Sequence, residues 1–254
     1  DRLRTQLLKV GEVDKVSSLG LKADRAQVLP GGFAIMAGIF AELGVDRMIL
    51  ANGAMRQGIL YDMLGRFHHR DMRDTTVRQF AKRYHVDTVQ SRRVEALALE
   101  LLVALDGNLA TEESIRQRLS WAAQLHEIGL TVAHTGYHKH SAYILENADM
   151  PGFSHDDQRL LAFLALGHQG RLAKVRDYAP DRARWLALCC LRLAVLVLRR
   201  REPLASIPFH IQAQGRTIHV MVDEGWLDAH PLSRFLLKSE VDVWRKAGFT
   251  LAVS

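Results

Sequence analysis

Residues 28–66, VLPGGFAIMAGIFAELGVDRMILANGAMRQGILYDMLGR, decide how the N-terminal part of this chain is expected to fold. Helix and turn signals predict a short strand over 26–30 that runs into a turn at Pro30-Gly31-Gly32, followed by a helix from Phe33 to Leu43 that ends at Gly44. They then predict a strand over Arg47–Ala51, a turn at Asn52-Gly53 and a helix over Met55–Leu64. Such alternation is typical of an α/β domain. Because no complete sheet precedes it, and because the chain begins at Asp1, we expect the C-terminal part of a larger protein.

The composition indicates a globular, basic protein. Hydrophobic residues make up 48% of the 254, enough for a core, and the formal net charge of +6 favours phosphate-rich partners, although it is also ordinary for a soluble basic protein. Cys189 and Cys190 are adjacent in an apolar run, which argues against a disulfide framework and predicts a cytoplasmic location. The run from Trp185 to Leu198 is interrupted by Arg192 and is too short to span a bilayer, so we expect no integral membrane segment.

Two changes of pattern after residue 66 predict two further domains. Helical spacing predicts five helices: Thr88–Leu105, Glu112–His126, His138–Asn147, Ser154–Leu166 and Pro180–Arg200. The last segment predicts a hairpin of Ile207–Gln212 and Arg216–Val222, then a helix over Leu232–Ala247 and a strand over Phe249–Val253. The predicted fold is therefore mostly α, with residues 1–66 ending an α/β domain, residues 67–201 forming a helical domain and residues 202–254 forming a small α+β unit.

The segment LHEIGLTVAHTGYHKHSAYIL, residues 125–145, carries the densest chemical signal. A histidine-acid pair in a helical domain is the pattern of metal-dependent phosphohydrolases of the HD class, in which a divalent metal activates water. Their ligand positions correspond here to Gln90, the pair His126-Glu127, and Val195. Valine cannot ligate a metal, and glutamine stands where a histidine is expected. We therefore predict no metal site in this chain, and a working HD-type site remains the alternative.

The remaining histidines have two interpretations. They are either ordinary packing and capping residues, or part of a basic wall that binds phosphate through charge-assisted hydrogen bonds. Glycines before a helix would also let backbone amides face a phosphate, although a plain tight turn explains them as well. The candidate substrate-binding residues are Arg25, Gly31, Gly32, His134, His138, Lys139, His140, His168, Arg171 and Lys174.

Four stretches carry a family resemblance that covers nearly the whole chain. They are residues 28–66, RYHVDTVQSRRVEAL (83–97), WAAQLHEIGL (121–130) and HKHSAYILENADMPGFSHDDQRLLAFLALGHQ (138–169). In this order they resemble the exopolyphosphatase and guanosine pentaphosphate phosphatase family. The resemblance implies that residues 1–66 end the second of two actin-like domains and that residues 67–201 form an HD-like domain. The segment HTGYHKHSAYIL (134–145) is more similar to the exopolyphosphatases.

The resemblance also implies a function. The full protein would release terminal orthophosphate from inorganic polyphosphate, with Mg²⁺ bound outside this chain. This chain would hold no catalytic residue, would be inactive alone, would bind and guide polyphosphate, and would contact its own N-terminal actin-like domain and support a homodimer. The alternatives are a guanosine pentaphosphate phosphohydrolase, a metal-dependent HD-type phosphohydrolase and a non-catalytic interaction module. We expect no nucleic-acid partner, because aromatic residues are only 7% and do not alternate with basic ones.

Overall fold

The computed structural model describes residues 2–19, 22–48, 71–107, 113–178, 181–204 and 206–254. The chain divides into two compact units, Asp1–Gly58 and Ile59–Ser254. The first contains these described helices: α1 (Arg2–Val10), α2 (Ala23–Ala26) and α3 (Leu29–Leu43). The second contains α4 (Met72–Arg83), α5 (Thr88–Leu105), α6 (Glu113–Leu125), α7 (Tyr137–Asn147), α8 (His155–Gly167), α9 (Arg182–Val197), β1 (Phe209–Gln214), β2 (Thr217–Val222), α10 (Glu224–Ala229), α11 (Pro231–Lys246) and β3 (Thr250–Val253).

In the first unit, the predicted strand and glycine turn before α3 are wrong. Gln27 and Val28 have helical backbone angles, and Pro30 lies in the first turn of α3, where a missing N–H costs nothing. Gly31 and Gly32 are inside the helix, and the N–H of Gly32 donates to the carbonyl of Val28 at 3.0 Å. That amide is therefore used within the helix.

The end of α3 is confirmed at Gly44, whose φ of 60° lies in the left-handed region that glycine adopts without strain. The predicted strand from Arg47 lies largely outside the described residues, and the turn and helix after it lie wholly outside them. An actin-like fold for this unit therefore stays a prediction. By length and composition alone, Asp24–Leu43 is long and apolar enough to cross a membrane, so the predicted lack of an integral membrane segment also stays a prediction.

The five predicted helices of the second unit are confirmed, with ends shifted by a few residues. Acidic or hydroxyl side chains accept hydrogen bonds from the first free N–H groups of several helices, an arrangement that typically stabilises a helix by about 1 kcal/mol. At α8, Ser154 and Asp157 form a reciprocal capping box. Helix α9, the last of these five, ends earlier than predicted and continues as a 3₁₀ turn over Leu198–Arg200. The helix α10 was not predicted.

A single hydrophobic core runs through the helices and the sheet of the second unit. Helix α9 packs against α5, α6 and α8, and Cys189 and Cys190 lie fully buried on it as free thiols. The ring centroids of Trp185 on α9 and Phe249 before β3 are 5.3 Å apart, and that of Trp244 on α11 is 5.9 Å from Trp185. These aromatic contacts connect the helical part with the C-terminal segment.

The C-terminal sheet has the strand order β1-β2-β3. The first two strands form the predicted hairpin, with Phe209 opposite Val222 and Gln214 opposite Thr217. Its two-residue connection contains Gly215 with a φ of 60°, as the tight turn of a hairpin requires. The third strand pairs parallel to β2, which the crossover through α10 and α11 makes possible. The described fold is thus mostly helical with one small mixed sheet.

Candidate functional site

A pocket of about 490 Å³ in the second unit brings together the positions that the sequence aligned with a metal centre. Its size is within the range of small-molecule sites. Helices α5, α9 and α11 and the connections before α7 and after α8 supply its walls. The lining residues are Gln90, His126, Glu127, Leu130, His134, Tyr137, His168, Gln169, Gly170, Arg192, Val195, Leu196, Arg199, Arg201, Leu236, Glu240 and Val243.

Two buried histidines face each other in this pocket. The rings of His126 and His168 are 5.1 Å apart and nearly perpendicular. Each Nδ1 lies close to a backbone carbonyl, that of Ala123 at 2.7 Å and that of Ala165 at 2.6 Å. Because a carbonyl only accepts, both Nδ1 atoms carry the hydrogen and both Nε2 atoms are acceptors in the neutral rings. Burial lowers the pKa of His126 and lowers the pKa of His168 well below its ordinary value, so both are neutral near pH 7.

Tyr137, at the start of α7, completes the partners of His168. Its hydroxyl oxygen is 3.0 Å from Nε2 of His168, and the tyrosine is therefore the donor of this hydrogen bond. Burial, with the charge of Glu127 as the next cause, raises the pKa of Tyr137 to about 12, which keeps the hydroxyl protonated. Tyr137 was not predicted as a site residue, because a tyrosine between histidines has no spacing signature of its own.

Two oxygen atoms in the pocket are buried without a hydrogen-bond donor. They are Oε1 of Gln90 and Oε2 of Glu127. The amide nitrogen of Gln90 donates to the carbonyl of Leu198 at 2.7 Å, which fixes the amide orientation and leaves the oxygen as the free atom. The other oxygen of Glu127 accepts from Arg201 at 2.6 Å. Unsatisfied buried acceptors are rare in native proteins, so a water molecule or a ligand group is expected to donate to these two oxygens.

Three arginines line the same pocket with different partners. Arg192 is 3% exposed and donates to both carboxylate oxygens of Glu240, and to the carbonyls of Gly167 and Gly170 at the end of α8. Arg201 bridges Glu127 and Asp87, so it is more than the solvated helix end that its sequence context suggests. Arg199 is exposed and forms no ion pair with any residue of the described ranges.

The predicted basic wall is only partly cationic. His168 is buried and neutral, so it belongs to the inner lining of the pocket and not to a charged surface. Burial, followed by the charges of Lys174 and Lys139, lowers the pKa of His138 to about 4. Burial, followed by the charges of Arg192 and Lys139, lowers the pKa of Lys174 to about 7. Crowding of cations and loss of solvent thus remove much of the positive charge that the sequence counts.

The other predicted site residues lie in three places. His134 is exposed and lines the pocket, whereas exposed Lys139 and half-buried His140 lie on the first turn of α7. Arg171 is exposed after α8. The remaining three belong to the first unit, with Arg25 on α2 and with Gly31 and Gly32 on α3. Phosphate binding by all ten stays a prediction.

The donor set of the pocket does not fit a divalent metal. No group of three or more histidine, cysteine or acidic side chains is arranged to hold a metal ion among the residues that the structure describes. Val195 offers no donor atom, Nε2 of His168 is taken by Tyr137, and Glu127 is paired with Arg201. What the arrangement can do is accept hydrogen bonds from a ligand in its buried part and attract an anion with its exposed guanidinium groups.

The fold and the pocket together define a mostly helical protein with a polar pocket of small-molecule size in its second unit. Two family models match it: Ppx/GppA phosphatase, domain III, over residues 72–241, and the Ppx/GppA phosphatase family over residues 2–67. The chain belongs to the Ppx/GppA phosphatase family. A curated relative is the guanosine-5'-triphosphate,3'-diphosphate pyrophosphatase of Pseudoalteromonas translucida (strain TAC 125), which is 36% identical over 239 residues, or 92% of this chain and 48% of the relative. The chain therefore spans about half the length of that relative.

Proposed function

We propose that the protein to which this chain belongs is a phosphohydrolase that acts on a phosphoanhydride bond of a guanosine pentaphosphate, and that this chain helps to hold the nucleotide. The membership of a phosphatase family and the relative named for guanosine-5'-triphosphate,3'-diphosphate support the proposal. The observation that carries it is the pair of buried acceptors at Gln90 and Glu127. They call for N–H donors, which a nucleobase has and a fully ionised polyphosphate chain lacks.

Inorganic polyphosphate is the second candidate substrate, and it is the one that the family resemblance of the sequence implies. The exposed cationic groups near the pocket support it, since a row of such groups would grip a polyanion in a salt-dependent way. The exposed groups are those of His134, Lys139, Arg171 and Arg199. Polyphosphate would use these groups but would leave the buried acceptors without donors, and for this reason we place it second.

Phosphate release in the presence of Mg²⁺ tests the proposal. We expect the complete gene product to release orthophosphate from guanosine pentaphosphate with a higher kcat/KM than from long-chain polyphosphate. The chain of 254 residues alone should release none, because the catalytic acid and the Mg²⁺ site are expected outside it. A higher kcat/KM on polyphosphate would reverse the order of the two candidates, and release by the chain alone would place a catalytic centre within these residues.

The proposal includes the assembly implied by the family resemblance. The chain is proposed to pack against its own N-terminal actin-like domain, to form a homodimer and to act in the cytoplasm. Light scattering coupled to size-exclusion chromatography on the complete gene product measures the dimer directly. A monomeric mass at micromolar concentration would contradict it.

A further inference from the structure

We propose that this pocket is a guanine-base subsite, in which the N1–H and N2–H₂ edge of the base donates to Glu127 and Gln90 and the phosphates of the nucleotide lie towards Arg199. The choice of guanine over other donor-bearing bases rests on the proposed function. The binding of a base rests on the pocket alone.

Two acceptors in the buried part of the pocket have no donor among the described residues. They are the shielded oxygens of Gln90 and Glu127. A buried acceptor that has no donor loses the hydrogen bond it made to water in the unfolded chain. A ligand with several adjacent N–H groups restores these bonds, and the N1–H and N2–H₂ edge of guanine carries three such hydrogens.

The charges around these acceptors exclude a cation as the missing donor. Arg201 is already bound to Glu127, and the guanidinium groups of Arg192 and Arg199 line the same pocket. Glu240 is already paired with Arg192 and Glu127 with Arg201, so a metal or ammonium ion would have to displace a guanidinium group to reach a carboxylate, and it would be repelled by Arg199. A neutral donor edge meets no such repulsion, and an anionic tail on the same ligand is attracted by Arg199, which forms no ion pair within the described part of the chain. Neutral donors and an anionic tail are the combination that a nucleotide presents.

The remaining walls suit a planar ring. Apolar side chains and one aromatic ring line the space between the acceptors and the exposed arginine. They belong to Leu130, Tyr137, Val195, Leu196, Leu236 and Val243. The two free oxygens are shielded from solvent, so a base can reach them only when the terminal groups of both Glu127 and Gln90 rotate about their soft last torsions. The side chain of Glu127 is 11% exposed, so it borders the open part of the pocket.

Isothermal titration calorimetry on the 254-residue chain tests the subsite with three mononucleotides. GMP offers the complete donor edge, IMP lacks the N2 amine, and AMP lacks the N1–H. We expect GMP to bind most tightly and IMP and AMP to bind at least about tenfold more weakly, because each lacks one of the N–H donors and leaves a buried acceptor without a partner. Equal affinities for all three would show that only the phosphate is held, and no binding of GMP at millimolar concentration would also overturn the proposal.

Matched variants locate the site. Glu127→Gln replaces one acceptor by a donor and should weaken GMP binding at least about tenfold. Glu146→Gln is the control, because Glu146 accepts from Tyr178 and does not line the pocket. If Glu127→Gln does not fold, Val195→Trp fills the pocket from α9 and should abolish GMP binding. Unchanged affinity in a folded Glu127→Gln or Val195→Trp protein would overturn the proposal.

The two proposals fail separately. Selective GMP binding by this chain, without pentaphosphate hydrolysis by the complete gene product, would refute the proposed function and keep the subsite. Hydrolysis of guanosine pentaphosphate with no base selectivity in the calorimetry would refute the subsite and keep the function.

Discussion

At the scale of single residues, burial decides the charge of the histidines. His126 and His168 are at most 3% exposed, and their Nδ1–H groups are held by backbone carbonyls. Burial lowers the pKa of both, with the charge of Glu127 partly opposing the shift at His126 and the charge of His126 adding to it at His168. The neutral ring is therefore the native form, and protonation is coupled to unfolding.

Stability should fall when the pH is lowered through the range in which unfolded histidine titrates. Below about pH 6.5, His126 and His168 bind protons in the unfolded state but stay neutral in the native state. The free energy of unfolding therefore decreases, by up to about 1.4 kcal/mol per pH unit for each of the two histidines. The loss continues until the pH reaches the lowered native pKa values. Urea unfolding at several pH values between about 7.5 and 5 measures the slope. His168→Gln should reduce it, and a pH-independent stability would contradict the buried neutral form.

The side-chain amine of Lys174 should be much less basic than that of an ordinary lysine. Burial, and then the charges of Arg192 and Lys139, lowers its pKa to about 7. Near neutral pH a large fraction of this amine is therefore the uncharged nucleophile. We expect acylation of Lys174, followed by peptide mass spectrometry, to show a rate that rises with a midpoint near pH 7. Exposed Lys238 on α11 is the comparison, and a rate profile that matches Lys238 would refute the shift.

The candidate site shows what residue types alone reveal. The histidine-acid pair, Gln90 and Val195 were recognisable from the sequence, because each occupies an aligned position. His138, His168 and Lys174 were counted as cations, because a sequence does not show how deeply a side chain is buried. Arg201 was missed as a partner of Glu127, since 74 residues separate the two and no local pattern connects them.

At the scale of elements, one buried ion pair connects α9 to α11. Arg192 and Glu240 form two hydrogen bonds, and Trp244 also donates to Glu240 at 3.1 Å. Arg192 further binds the carbonyls of Gly167 and Gly170, where α8 ends. Three elements that border the pocket are thus held by one guanidinium group.

Removing only the acid should be more costly than removing both partners. Glu240→Leu leaves the Arg192 charge buried and unpaired, and we expect a loss of about 3–5 kcal/mol in the free energy of unfolding. The double variant Arg192→Met with Glu240→Leu should recover part of that loss, although the carbonyls at the end of α8 lose a donor. A double-mutant cycle from urea unfolding measures the coupling, expected to be at least about 1 kcal/mol. Additive single effects would contradict the role of the pair.

A close backbone contact holds the turn between Glu127 and α7. A Cβ at Gly129 would collide with the carbonyl of Tyr137 and the amide of Ser141, which are backbone atoms and cannot rotate away. Gly129→Ala should therefore cost about 1–3 kcal/mol, as overpacking does. Gly107→Ala is the control, because a Cβ there meets nothing within 4 Å. Thermal unfolding compares the two, and equal Tm values would show that the turn accommodates the methyl group.

The helices were predictable because their apolar spacing and caps are local signals. Thr88–Leu105 matches the observed α5 at both ends, with Asp87 as its capping residue. The turn at Pro30-Gly31-Gly32 was wrong for an equally local reason. Proline is accepted in the first turn of a helix as readily as in a β-turn, so the sequence Pro30-Gly31-Gly32 is compatible with either structure. The short helix α10 was missed because six residues show too little periodicity.

At the scale of the whole molecule, the two units differ in how much apolar surface they bury. The core of the second unit extends from α4 to β3. In the described part of the first unit, Val16 and Ala26 are the buried hydrophobic side chains. Helix α3 instead exposes Ile35, Ile39 and Leu43. Because burial of apolar surface is the main stabilising contribution to folding, the second unit should carry most of the stability.

A fragment of residues 71–254 should therefore fold alone and unfold cooperatively. We expect its free energy of unfolding and its slope against urea to agree with those of the main transition of the 254-residue chain, the former within about 1 kcal/mol, because the same surface is exposed in both. The fragment should also self-associate less, because it lacks the exposed apolar side chains of α3. Light scattering at matched concentrations measures this second effect. A fragment that melts without cooperativity would show that residues 1–70 are part of the same folding unit as the pocket.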